Sequence, residues 1–230
     1  MSNLFEPDRL EDRVAVSYTA SELYLESGGS FSISDIAEKL ETTDEEILEL
    51  FPDATSALQF FFTGSLVRYS IMINDIDGFE DFSIDEKLSN LIFTVFDILS
   101  ENKEFTVKAF GPLIKHGKGG SDFEMGAKQL SKRFIDGDQR IGTVSRIALL
   151  DITYTYLVQE FIDIIDFWIS DTSENSQTTL AFVDKKTTFF SALVYNQAAD
   201  TGIDLAKYMF SNGLITRNLS IFTRFVRQLF

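Results

Sequence analysis

The chain has no cysteine, one histidine, one tryptophan and three prolines in 230 residues. Without cysteine there are no disulfides and no thiolate metal sites, a composition that fits the cytoplasm. A Ser/His/Asp triad would have to use His116, which lies in the glycine-rich loop Lys115–Ser121 and reads as a loop residue without a catalytic role. Few prolines and many segments of helical period point to an all-α protein. No run of 18 apolar residues is present, so no membrane-spanning helix is expected. The N-terminal residues lack the basic-then-apolar layout of a signal peptide. Cations are scarce where they would matter most. Across residues 1–60 three bases (Arg9, Arg13, Lys39) face fourteen acids, so −11 of the chain's net −16 sits there.

The chain is rich in phenylalanine, with 23, and 44% of its residues are hydrophobic. That composition argues for a folded globule. It implies either an aromatic interior or a large apolar interface. In the stretch from Phe31 to Leu58, Ile33, Ile36, Ala37 and Leu40 fall at helical spacing. Thr43 or Asp44 can cap a second short helix that carries Ile47 and Phe51 and stops at Pro52, and Asp53 can cap a long third one. Two short helices joined by a tight turn form a helix-turn-helix. Ahead of them, an amphipathic helix at about 12–27 ends at Gly28-Gly29.

This order, with Ile33, Asp35-Ile36-Ala37, Ile47, Phe51-Pro52 and Leu58, resembles the TetR family of dimeric regulators. The resemblance implies a small helix-turn-helix domain over 1–52 and a ligand-binding and dimerisation domain over 53–212. A basic amphipathic helix over 213–230 completes the chain. In the family the second short helix enters the DNA major groove. Here its positions carry Asp44, Glu45, Glu46, Leu48 and Glu49, four carboxylates facing a polyanion. Nonspecific DNA affinity comes mainly from cations that neutralise phosphates. The expectation is therefore a retained fold with ordinary DNA binding lost and DNA a doubtful partner.

Further along, Ser83-Ile-Asp-Glu86 and Ser121-Asp-Phe-Glu124 are capping boxes, and shorter helices are expected at about 106–115 and 121–135. Two long helices follow. The first, at about 143–170, is apolar on most sides and must be covered on two. The stretch Asp166–Asn175, with Thr178 and Ala181–Lys185, resembles the C-terminal domain of TetR-type proteins common in Bacteroidetes. It also resembles the TetR-fold lipid-binding protein of coenzyme Q biosynthesis. These resemblances imply a homodimer built on Leu157, Ile164, Trp168, Phe182, Phe189 and Leu193. They also imply an aromatic-lined cavity for a lipid or other hydrophobic small molecule. Phe62, Tyr69, Phe93, Phe96, Phe110, Tyr154 and Phe161 lie on elements that could line it, although core packing explains each one singly. The acid-free C-terminus carries Phe222 and Phe225 beside Arg224 and Arg227, a pattern suited to peripheral membrane contact.

Gly-Lys-Gly-Gly-Ser at 117–121 lacks both the preceding strand and the spacing of a phosphate loop, and reads as a turn. Asp151, Glu160, Asp163 and Asp166 lack the histidines of a di-iron bundle and read as a solvated or salt-bridged stripe. No cofactor is implied, and nothing argues for an enzyme. The main expectation is thus a non-enzymatic lipid-binding dimer. The alternative is a ligand-responsive DNA-binding repressor, and a third reading is an acidic protein-interaction adaptor.

Overall fold

A computed structural model describes residues 9–117, 120–141 and 151–195. The described residues are helical, with no strand among them. Helix α1 spans Leu10–Ser27 and ends at Gly28, whose φ of 68° is the left-handed cap that glycine adopts without strain. Helix α2 spans Ile33–Lys39 and opens on a capping box in which Ser32 and Asp35 exchange hydrogen bonds. Helix α3, Asp44–Leu50, is capped by the Thr43 hydroxyl, which accepts from the Glu46 amide. Val16 and Ala20 of α1, Ile36 and Ala37 of α2, and Ile47 and Phe51 close the small core. All six are apolar positions of the sequence pattern.

Helix α4, Ala54–Met72, is capped by Asp53, which accepts from the Ser56 amide at 2.7 Å. The sequence suggests a one-sided apolar repeat running through Met72. Instead, every residue from Phe60 to Val67 is buried, and so are Tyr69 and Ser70. Met72, at the helix end, is 49% exposed. One side of α4 carries α1 and the others carry the large helical body. Two short 3₁₀ turns, Ile73–Asp75 and Phe79–Asp81, lead to α5, Ile84–Ser100, which opens on the Ser83/Glu86 capping box.

Helix α6 differs from its expected span. It starts earlier, spanning Lys103–Phe110 with Asn102 as its cap, and gives way to a wider π-type turn over Gly111–Lys115. Pro112 is the reason. It has no amide to donate, and its ring crowds the carbonyl four residues back, so the α-helical ladder cannot continue. Helices α7, Gly120–Gly137, α8, Asp151–Ser170, and α9, Gln177–Val194, complete the body. Helix α9 packs on α5, and α8 packs on α7.

Two polar knots hold this body. Asp171 accepts from the amides and hydroxyls of both Ser173 and Thr179, fixing the turn between α8 and α9. Asp138 sits at the end of α7 and takes bonds from Arg140 and the Tyr195 hydroxyl. Arg140 also donates to the carbonyls of Asp81 and Phe82, while Tyr195 accepts from the Ile84 amide. These bonds draw α7, the start of α5 and the end of α9 to one point.

Candidate functional site

Helices α2 and α3 form the helix-turn-helix, and α3 turns its polar side to solvent. Glu45, Glu46, Leu48 and Glu49 are exposed, with Leu48 at 49%, and Asp44 is half-buried. Two of the carboxylates serve local structure. Asp44 accepts from the Ser34 hydroxyl of α2, and Glu46 accepts from Thr42 in the turn.

The three cations of this domain are all engaged. Arg9 bonds Asp12 at 3.1 Å and Glu49 at 3.0 Å, so it ties the start of α1 to α3. Lys39 lies between Glu22 and Glu26 of α1, at 3.1 and 2.9 Å. Arg13 lies with its guanidinium 3.9 Å from the Phe60 ring centroid and 5.1 Å from that of Phe51. Burial pushes its pKa down. This stacking was missed in the sequence, because nothing local to Arg13 signals rings about forty positions away.

The aromatic candidates for a ligand cavity lie in four places, not one. Phe62 stacks on Phe105 and meets Phe110, which touches Phe123, which stacks on Phe161. These rings fill one another's space and make a packed core. Phe96 stacks flat on Trp168 at 4.6 Å with Phe93 beside it. Tyr69 lies apart, edge-on to Phe134. Its side chain is fully buried and its hydroxyl has no hydrogen-bond partner in the described structure, and burial pushes its pKa up. Tyr154 is also buried, but its hydroxyl donates to Asp136 at 3.0 Å.

Two residues of the expected dimer face are buried within the protomer, while Phe182 and Phe189 are exposed. Ile164 and Trp168 are 4% and 5% exposed, so they belong to the protomer's own core and leave the interface set. Leu157 is half-buried against that core. The apolar residues that α8 and α9 turn outward are Tyr156, Phe167, Leu180, Phe182 and Phe189, the last 66% exposed. Phe167 and Phe182 touch across the two helices at 5.4 Å. The Leu193 side chain and the residues of the expected membrane helix, Phe222, Arg224, Phe225 and Arg227, lie outside the described residues.

Three acids of the expected α8 stripe are salt-bridged, and the Asp151 side chain lies outside the described residues. Asp163 and Asp166 hold Lys115 at 3.3 and 2.8 Å, and Glu160 pairs with Lys186. Among the described residues no cluster of His, Cys, Asp and Glu could hold a metal ion. Among them, too, no helix is long and apolar enough to cross a membrane.

An exposed, capped helix-turn-helix on a larger all-helical body is the architecture of a TetR-type regulator. Residues 87–209 match the family described as "Tetracyclin repressor-like, C-terminal domain", and the chain belongs to that family. Among solved structures, the TetR transcriptional regulator from Nitrosomonas europaea ATCC 19718 shares the fold at a TM-score of 0.58. The two are 22% identical over 77% of this chain and 96% of that one. No curated protein gives a match.

These findings overturn the expectation of a lipid-binding dimer with DNA binding lost and DNA a doubtful partner. The family is the tetracyclin repressor-like one, and the fold is shared with a protein named as a TetR transcriptional regulator rather than with a lipid carrier. They support the family and not the coenzyme Q lipid-binding subtype. The carboxylates on α3 set the charge of that surface and not the fold that displays it.

Proposed function

We propose that the protein is a homodimeric, ligand-responsive transcriptional regulator that binds DNA through α2 and α3. The observation that carries this reading is the helix-turn-helix itself, capped at both helices, with Glu45, Leu48 and Glu49 free of the core. It is supported by the shared fold with a protein titled a TetR transcriptional regulator. A carboxylate can accept from a cytosine amino group in the major groove, and an apolar side chain can meet a thymine methyl. Glu45, Glu49 and Leu48 offer those two chemistries. The phosphate contacts fall to Arg9 and Lys39. Their present partners are exposed carboxylates, and ion pairs in solvent contribute little, so exchange for a phosphate costs little.

The dimer reading rests on Tyr156, Phe167, Leu180, Phe182 and Phe189, an apolar stripe on α8 and α9 that a second copy would cover. Two-fold symmetry would then present two copies of α3 to one duplex. For the effector we place the polar contact at Tyr69. A buried hydroxyl without a partner costs about 1–3 kcal/mol, which a ligand's hydrogen-bonding group would relieve. The division into a DNA-binding part over 1–52 and a ligand and dimerisation part over 53–212 follows from the same reading.

The test is selection of sheared genomic DNA from the source organism at low salt, with sequencing of what is retained. Enriched promoter sites that salt releases are the expected result. Retention of no DNA even at low salt overturns the reading.

A further inference from the structure

A groove runs along the outer face of α1 where it meets α4 and the end of α5, with a volume of about 460 Å³. Leu10, Val14 and Ala15 form its apolar floor, and Tyr18 closes one end. There the Tyr18 hydroxyl donates to Glu101, whose carboxylate also takes both arms of the Arg68 guanidinium at 2.8 Å each. Glu11 stands at the rim, with no ion-pair partner shown among the described residues.

We propose that this groove is a ligand site, separate from Tyr69, for a small organic cation with an apolar body. Size comes first. The volume falls within the range of small-molecule sites, roughly 300–1,000 Å³. Charge then chooses the sign. An anion would have to displace Glu101 from a two-armed pair with Arg68 and would meet Glu11 on entry. It would also approach a domain carrying a net −11 over its first 60 residues. A cation need not break that pair, in which Glu101 already neutralises Arg68, and it is drawn by Glu11. Its charge can sit between Glu11 and the outer lone pairs of Glu101, with the Tyr18 ring available for a cation–π contact. The apolar body then covers Leu10, Val14 and Ala15.

Position gives the site its consequence. Helix α1 packs on α2 and α3 as well as on α4, so a ligand here touches the large body and the helix against which the helix-turn-helix packs.

Tetraphenylphosphonium and tetraphenylborate, which match in shape and differ in sign, are the probes, measured on the full chain by equilibrium dialysis. The expected result is one phosphonium bound per chain, roughly tenfold more tightly than the borate. Ala15→Trp fills the floor without changing charge and should weaken phosphonium binding by roughly tenfold. Glu11→Lys, at an exposed position, tests the charge without touching the core and should weaken it similarly. Equal binding of the two ions, no binding of the phosphonium, or binding that survives both substitutions overturns the proposal. No DNA takes part, so the result stands apart from the regulator reading.

Discussion

Arg9 and Glu49 face each other 3.0 Å apart across the small domain, joining the first turn of α1 to the last turn of the helix that would enter DNA. The pair matters because Arg9 is one of only three cations in the first 60 residues. A phosphate has to compete with Glu49 for it.

Glu49→Gln should therefore raise affinity for nonspecific DNA, by roughly threefold at low salt, because one more cation is free to release counterions. Arg9→Ala should lower it by a similar factor. Fluorescence anisotropy with a labelled duplex measures both. Unchanged binding in both variants would remove Arg9 from the contact surface.

Phe189→Asp places a charge on the most exposed phenylalanine of the α8–α9 stripe. Sedimentation should show dimer dissociation strengthened by roughly tenfold or more, with helical content unchanged. Ile164→Asp, by contrast, should unfold the protomer, since that side chain is already inside it.

Asp138 supplies a pH dependence. Burial alone would raise its pKa, but the hydrogen bonds from Arg140 and Tyr195 outweigh it and hold the carboxyl down to about 2. A carboxylate held below its unfolded value stabilises the fold above roughly pH 4, and that contribution is lost as pH falls toward 2. Asp138→Asn should lower the urea midpoint at pH 7, and the gap from the parent protein should shrink as pH approaches 2. A constant gap across this range would show that the charge is not what Asp138 contributes.

Lys103 lies over the indole of Trp168, the chain's single tryptophan, and burial lowers its pKa to about 8 against the pull of Asp171. Tryptophan fluorescence should therefore change as pH rises through about 8. Lys103→Met should abolish that transition. If the transition survives, another group reports it.

Asp53→Ala removes the cap of α4 and should cost about 1 kcal/mol in denaturant unfolding. Gly at the same position should cost less.

What the sequence made legible was whatever is encoded close at hand. Thr43, Asp53 and Ser83 each sit within three residues of the amide they satisfy, so these helix starts could be read directly. Pro112 was equally local, yet its effect on the length of α6 depended on a turn type that the apolar pattern does not distinguish. The outward apolar stripe needed the phase of α8. Phe167 and Trp168 are neighbours in sequence, but the first faces outward at 41% exposure and the second packs on Phe96. Periodicity gave two apolar sides without saying which one the protomer would use. The Arg13 stack and the unpartnered Tyr69 hydroxyl depend on residues distant in sequence, or on the lack of any partner, and neither leaves a trace in a linear pattern.

Helix α4 is buried over nearly its whole length, with residues of the small core on one side and of the large body on the others. A helix with a wet side could roll in place and disturb only one neighbour. From Phe60 to Val67 there is no such side, because any rotation would drive phenylalanine rings into packed space on both flanks at once. What is left to α4 is motion as a rigid rod. A displacement that starts among the helices of the large body must then reach Asp53 at the other end undiminished, and with it the corner from which α3 hangs.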